Sequence, residues 1–152
     1  MLFRSTSKTK LPTYWDMNFS KICLGMRIGN QPAKFLVISK NSTSLYSLIA
    51  DGRNRLTSLG RDKWKALIGS DASLQINCNK EGFNAVGDRH DYSKARIGII
   101  SNNQNDCATC DSRIGFGTGG DHDDYNTCGN EATYKPDNGD KHIKTMGYIL
   151  VK

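Results

Sequence analysis

The feature that most constrains this chain is a 39-residue stretch, residues 102–140, dominated by Asn, Asp, Gly, Thr and Cys. Its hydrophobic periodicity is too weak to point to a helix or a strand. Irregular segments of that length inside a compact domain are uncommon, and they are usually functional or held by a metal or a disulfide. Three of the five cysteines, Cys107, Cys110 and Cys128, fall within it, and the other two are Cys23 and Cys78. Five cysteines in 152 residues are too few for a miniature disulfide scaffold. They suit two staples with one cysteine left over, or a metal site.

The segments around this stretch have clearer patterns. Residues 22–28 (ICLGMRI) and 35–39 (FLVIS) read as buried strands, separated by the turn-forming Gly29-Asn30-Gln31-Pro32. Residues 45–50 (LYSLIA) suit either a strand or a helix. Residues 62–68 predict a helix, with Trp64, Leu67 and Ile68 at i, i+3, i+4 and Gly69 as its C-terminal stop. Residues 70–93 read mostly as loop, anchored by Cys78 and Phe83. Residues 95–101 (ARIGIIS) predict a strand, and residues 146–151 (MGYILV) a final strand ending in the core. The expected fold class is α+β, β-rich, with long irregular loops stapled by disulfides. Residues 1–13 are expected to be a flexible basic arm and residues 14–152 a single domain, in keeping with the chain's length.

Charge divides the chain. Residues 1–70 carry 12 Lys/Arg against 3 Asp/Glu, and residues 71–152 carry 9 against 12. A basic half suits polyanions, and an acidic half rich in Asp suits hard cations. The Lys and Arg residues are dispersed, with no RNA-binding or zinc-finger signature, so no nucleic-acid partner is expected. No run approaches the ~18 apolar residues of a membrane-spanning helix, so membrane insertion is not expected either. No apolar signal-peptide core follows the first residues, MLFRSTSKTK.

Several motifs bear on chemistry. Gly115-Phe116-Gly117-Thr118-Gly119-Gly120 matches GxGxxG in form. Neither the strand before it nor the helix after it is predicted, and Asp121, Asp123 and Asp124 would repel phosphate. It reads as a tight backbone path. Residues 121–126 (DHDDYN) alternate oxygen ligands along an extended loop, which suits calcium. Asp121, Asp123, Asp124 and Asn126 are the candidate ligands, set against a merely solvated acidic loop. An EF-hand is excluded, because positions six and twelve are Asn126 and Ala132. Cys107, Cys110, His122 and Cys128 have an acceptable Cys3His zinc spacing, with structural disulfides as the favoured reading of these cysteines. Asn18 and Asn41 head glycosylation sequons. Asp88-Arg89-His90-Asp91 reads as a polar loop with no nucleophile to serve, and His142 as a surface residue. No arrangement points to an enzyme.

The ordered set ICLGM (22–26), NCNKEGFN (77–84), ARIGI (95–99), DSRIGFG (111–117), CGNEA (128–132) and GYILV (147–151) resembles cnidarian secreted domains of the coral skeletal organic matrix type. Those domains are similar, more distantly, to fibrinogen-like and intelectin-like C-terminal domains. The resemblance implies a non-enzymatic extracellular module with a partial fibrinogen C-terminal-like fold. In it Asp121 and Asp123 match an Asp-x-Asp calcium loop, with Cys128 shortly after. The N-terminal subdomain of fibrinogen-like domains has no counterpart here, so the chain is expected to be the C-terminal portion of a longer protein. The expected disulfides are Cys23–Cys78, both beside apolar segments, and Cys107–Cys128, closing a loop around the glycines and acids. Cys110 is left odd.

These readings lead to an expectation of an extracellular, calcium-dependent recognition or matrix module. Its partner would be a glycan, an acidic matrix polymer or a matrix protein. The alternatives are a metal-independent structural adhesion domain and an intracellular Cys3His zinc module.

Overall fold

A computed structural model of the chain describes residues 10–121 and 123–152. Residues 1–9 of the expected arm lie outside the described residues. Within the remainder of the arm, Pro12–Tyr14 already forms a 3-10 turn.

Among the described residues, nine strands form two antiparallel sheets. The strands are β1 (Phe19–Arg27), β2 (Lys34–Ser42), β3 (Arg55–Leu56), β4 (Asn77–Val86), β5 (Lys94–Asn102), β6 (Ser112–Gly119), β7 (Cys128–Ala132), β8 (Lys141–Lys144) and β9 (Met146–Val151). Two short helices, α1 (Leu45–Ile49) and α2 (Arg61–Ala66), lie between β2 and β4. The smaller sheet has the order β2-β1-β9 and the larger runs β3-β4-β5-β6-β7-β8, in sequence order. No helix among the described residues is long and apolar enough to cross a membrane. The expected β-rich character with disulfide-stapled loops is present.

Strand alternation decides what the core contains. Ile22, Leu24 and Met26 of β1 and Leu36 and Ile38 of β2 point inward from the small sheet. Phe83, Ile97, Ile99, Ile114 and Phe116 point inward from the large one. Helix α2 touches β2 of one sheet and β5 and β6 of the other, and its Trp64 is fully buried between them. Helix α1 resolves the ambiguity of residues 45–50. Ser44 accepts from the Ser47 amide (3.0 Å) while the Ser47 hydroxyl accepts from the Ser44 amide (3.1 Å), a reciprocal cap that favours a helical start.

Helix α2 has no side-chain cap of its own, because Gly60 occupies the N-cap. Buried Glu81 of β4 takes that role. It accepts from the amides of Gly60 (2.8 Å) and Leu59 (3.0 Å), the Thr57 hydroxyl (2.6 Å) and the Trp64 indole (2.9 Å). The adjacent Gly82 lets β3 approach. A Cβ there would meet the Arg55 carbonyl and lie 2.9 Å from the Thr57 amide.

Four segments differ from the sequence reading. Residues 77–86 are a strand where a loop was expected, and residues 102–140 contain β6 and β7. The reason is composition. These strands bury Glu81, Asn84, Ser112, Arg113, Asn130 and Glu131, polar side chains that pair with each other and with loops. The GxGxxG-like run lies within and just beyond β6, where Gly82, Gly98, Gly115 and Gly129 face one another across β4, β5, β6 and β7. A Cβ on Gly98 would lie 2.8 Å from the Gly115 Cα, so the two strands crowd too closely for a side chain. Finally, β9 only borders the core: its last residue, Val151, packs half-buried against it, and no residue of the strand is fully buried. It is an edge strand with Met146 and Leu150 exposed.

The disulfide pattern is also corrected. Cys78 bonds to Cys107, while Cys23, Cys110 and Cys128 take part in no disulfide. Cys23–Cys78 is prevented because Cys23 alternates with the inward-pointing Ile22 and Leu24 and lies on the outer face of the small sheet, opposite Val37 and Leu150 and away from β4. Cys128 lies on β7 opposite Phe116, with its Sγ 3.2 Å from the Thr145 hydroxyl, so it does not meet Cys107. The bond spans 29 residues in sequence, and the chain-entropy model gives closure of such a loop about 3.6 kcal/mol.

Candidate functional site

The face of the large sheet turned away from the core carries a row of paired residues. Arg113 of β6 faces Glu131 of β7, and Glu131 faces His142 of β8. Arg113 and Glu131 are both fully buried. What buries them is a layer of loops. The described residues of the β6–β7 connection, 120–121 and 123–127, fold back over the row. The Arg113 guanidinium donates to the Asp121 carbonyl (3.3 Å), the Asp123 carbonyl and the Ser93 hydroxyl (3.2 Å). The Asp121 amide in turn donates to the Asp91 carbonyl (2.7 Å), joining this loop to residues 87–93.

Electrostatics explains why the acidic loop lies where it does. Burial pulls the Arg113 guanidinium below its ordinary pKa, and Glu131, Asp123, Asp124 and Asp121 oppose that pull. A buried guanidinium with no partner would be strongly destabilising, so the surrounding anions are structurally required. Four carboxylates face this one cation, which leaves a local excess of negative charge.

The four residues expected to hold calcium do not converge in one shell. Asp124 accepts from the Gly120 amide, and Asp123 Oδ1 accepts from the Tyr125 amide (2.8 Å). Asn126 turns inward, and its Nδ2 donates to the Asn130 carbonyl (3.1 Å), Glu131 Oε2 (3.2 Å) and the Ile143 carbonyl (3.3 Å). Asp121 lies exposed at the start of the loop. Asp123 instead gathers with Glu131 and His142, each offering a ligand atom within 4.8 Å of the others. His142 Nδ1 lies against Glu131 Oε1. Next to them, Oδ1 of the buried Asn126 has no donor.

This donor set, two carboxylates and one imidazole, differs in kind from an all-oxygen cage. Calcium takes six to eight oxygens, whereas two carboxylates and an imidazole are a familiar partial shell for zinc-class ions. The sequence reading found Asp123 and missed Glu131 and His142. CGNEA and KHIK are separated by loop, and only strand pairing across β7 and β8 makes them neighbours.

The other candidates separate cleanly. Cys107 is bonded to Cys78 with Cys110 beside them, and Cys128 lies on β7, so these cysteines do not assemble a Cys3His set. His122, its fourth member, lies outside the described residues. Asn18 and Asn41 are both exposed. Arg89 and Asp91 pair at the surface (2.8 Å), as expected of a polar loop. Nearby His90, Lys94 and Arg96 line an open cleft of about 300 Å³ with Asn84 and residues 117–119.

Comparison with protein-family models, with curated proteins and with solved structures finds no match to this chain.

Proposed function

We propose that this domain is an extracellular, non-enzymatic recognition module that binds a divalent cation at Asp123, Glu131 and His142. The observation that carries the reading is the convergence of these three side chains beside a buried acceptor, Asn126 Oδ1, that lacks a donor. The imidazole favours a zinc-class ion over calcium. The ion's role is to fix the loop of residues 120–127 and to present an open coordination position to hydroxyl or carboxylate groups of a glycan or acidic matrix polymer. The Cys78–Cys107 disulfide supports an oxidising compartment. The likeness to coral skeletal matrix domains supports the same setting.

Thermal unfolding of the non-reduced protein in zinc, in calcium and in chelator tests this. Zinc at a hundred times its dissociation constant adds ~2.7 kcal/mol to stability. His142 is exposed, so His142→Ala removes a ligand without disturbing the core, and it abolishes the zinc response. A calcium response that survives in His142→Ala assigns the ion to loop oxygens instead. No response to either ion overturns the cation reading.

A second reading has its own observation. The outer face of the small sheet exposes Phe35, Val37 and Leu150, each more than half accessible, around the free thiol of Cys23. Strands β1, β2 and β9 contain no Asp or Glu. A metal-independent matrix domain would use this apolar, cation-rimmed face to hold a matrix protein. Loss of matrix binding in Val37→Lys, with an unchanged zinc response, favours this second reading.

A further inference from the structure

We infer that Cys78, Cys107 and Cys110 form a thiol–disulfide exchange site, in which the bond passes between Cys78–Cys107 and Cys78–Cys110. The Cys110 sulfur lies 3.7 Å from the Cys78 sulfur and 3.8 Å from the Cys107 carbonyl oxygen. It is fully buried, so the third thiol is held against the bond by the fold.

Local structure explains how three sulfurs come together. Cys78 and Asn79 both adopt left-handed backbone (φ 65° and 50°) at a register shift in β4, which turns Cys78 off the strand ladder towards the loop that carries Cys107 and Cys110. That loop is clamped from the other side. The Asp88 amide donates to the Cys107 carbonyl (2.8 Å) and the Ser93 amide to the Cys110 carbonyl (2.9 Å). Gly87 sits where any Cβ would collide with the Cys107 carbonyl. Cys107 and Cys110 are three positions apart on one turn, so exchange requires no movement of the strands.

The step is balanced without an outside oxidant. The Cys110 thiolate attacks the Cys78 sulfur, the Cys78–Cys107 bond breaks, and Cys107 leaves as the thiolate. The proton lost from Cys110 is taken up by Cys107. One disulfide and one thiol remain throughout, but the thiol has moved from a buried position to a half-buried one. The freed Cys107 belongs to the loop whose Gln104 and Thr109 line a polar cleft of about 230 Å³ with Tyr92 and Tyr134. Exchange therefore unfastens one wall of that cleft and offers a thiol beside it.

Burial pushes the Cys110 thiol up to about 12. Asp111, Asp106 and Asp88 act in the same direction, against Lys80. The attacking thiolate is accordingly scarce near neutrality, and the exchange rate climbs about tenfold for each unit of pH below that value.

The test uses a Cys23→Ser/Cys128→Ser background, in which Cys78, Cys107 and Cys110 are the remaining cysteines. The protein is held without added thiol at about pH 7 and about pH 10, acid-quenched, denatured, alkylated with N-ethylmaleimide and mapped by fragmentation mass spectrometry. The expected result is a Cys107-alkylated fraction that grows with pH at the expense of Cys110. Alkylation confined to Cys110 at both values overturns the proposal. Cys107→Ser, oxidised with glutathione disulfide, should form Cys78–Cys110. A folded variant in which both remain alkylatable also overturns it. If Cys107→Ser does not fold, the pH series decides alone.

Discussion

Glu81→Gln should destabilise the domain by about 2–3 kcal/mol, a large share of the ~5–15 kcal/mol typical of a folded domain. The carboxylate accepts four hydrogen bonds, three on Oε2 from Thr57, Leu59 and Trp64 and one on Oε1 from Gly60. A glutamine oxygen placed at Oε2 keeps the first three as neutral bonds, each weaker by about 1 kcal/mol than its charge-assisted form. The amide NH2 then faces the Gly60 N–H, donor against donor, but Gly60 is exposed and its N–H turns to water at little cost, so the weakened bonds carry the penalty. Removing a buried charge returns part of this. The direction of titration bounds how much. Burial raises the Glu81 carboxyl, but the donors outweigh it and hold the group below its ordinary pKa, so the site prefers the anion. A group with a depressed native pKa stabilises fully above its unfolded value, about 4.3, and loses that contribution as pH falls through the lower native value. The Gln penalty should therefore shrink at about pH 3. Urea unfolding followed by Trp64 fluorescence measures it, since Trp64 is fully buried and donates to the same carboxylate. The equivalent drop in Tm is about 5–10 °C. A Gln variant within about 0.5 kcal/mol of wild type at neutral pH would refute the claim that this carboxylate anchors the start of α2.

Gly98→Ala should cost more than about 2 kcal/mol, because its Cβ would press on the Gly115 Cα and the Ile114 carbonyl, and strand backbone cannot yield as a side chain can. Chemical denaturation checks this, and an unchanged midpoint would mean that β5 and β6 are less crowded than described. Arg113→Met should cost about 3–5 kcal/mol by leaving Glu131 and the acidic loop without their cation. Arg113→Met/Glu131→Gln should recover part of that loss, so additive penalties would show that the two residues act independently.

Legibility in the sequence followed hydrophobic contrast. β1, β2 and β5 alternate or run apolar, and Trp64, Leu67 and Ile68 fall at helical spacing, so these elements were readable. β4, β6 and β7 were not, because their outward positions hold glycines and buried polar groups, the same residues that build loops. β9 was only half readable, for the opposite reason. Its apolar residues signal burial, yet β9 lies at the edge of a sheet whose outer face nothing in the described chain covers. A run such as MGYILV states that apolar surface exists, and only topology states which side of it is wet.

The site was legible only where its residues are contiguous. Residues 121–126 stood out as an acidic loop, and the natural reading was a calcium shell made by the loop alone. A cation was already present in the fold, though, as the Arg113 side chain, and nothing in DSRIGFG distinguishes a buried arginine from a solvated one. Once Arg113 is known to be buried, much of the loop's acidity has a structural cause, and the burden on a metal is smaller. One guanidinium cannot balance Asp121, Asp123, Asp124 and Glu131 together, and the charge left over collects at the His142 end of the row, where Asp123 and Glu131 approach an imidazole. The same reasoning ranks the ligands. Asp121 and Asp124 serve the loop's attachment to the sheet, so Asp124→Asn should weaken folding while leaving the zinc response in place. His142→Ala should do the reverse, and if both variants moved stability and zinc response together, attachment and ion binding would not be separable in this loop.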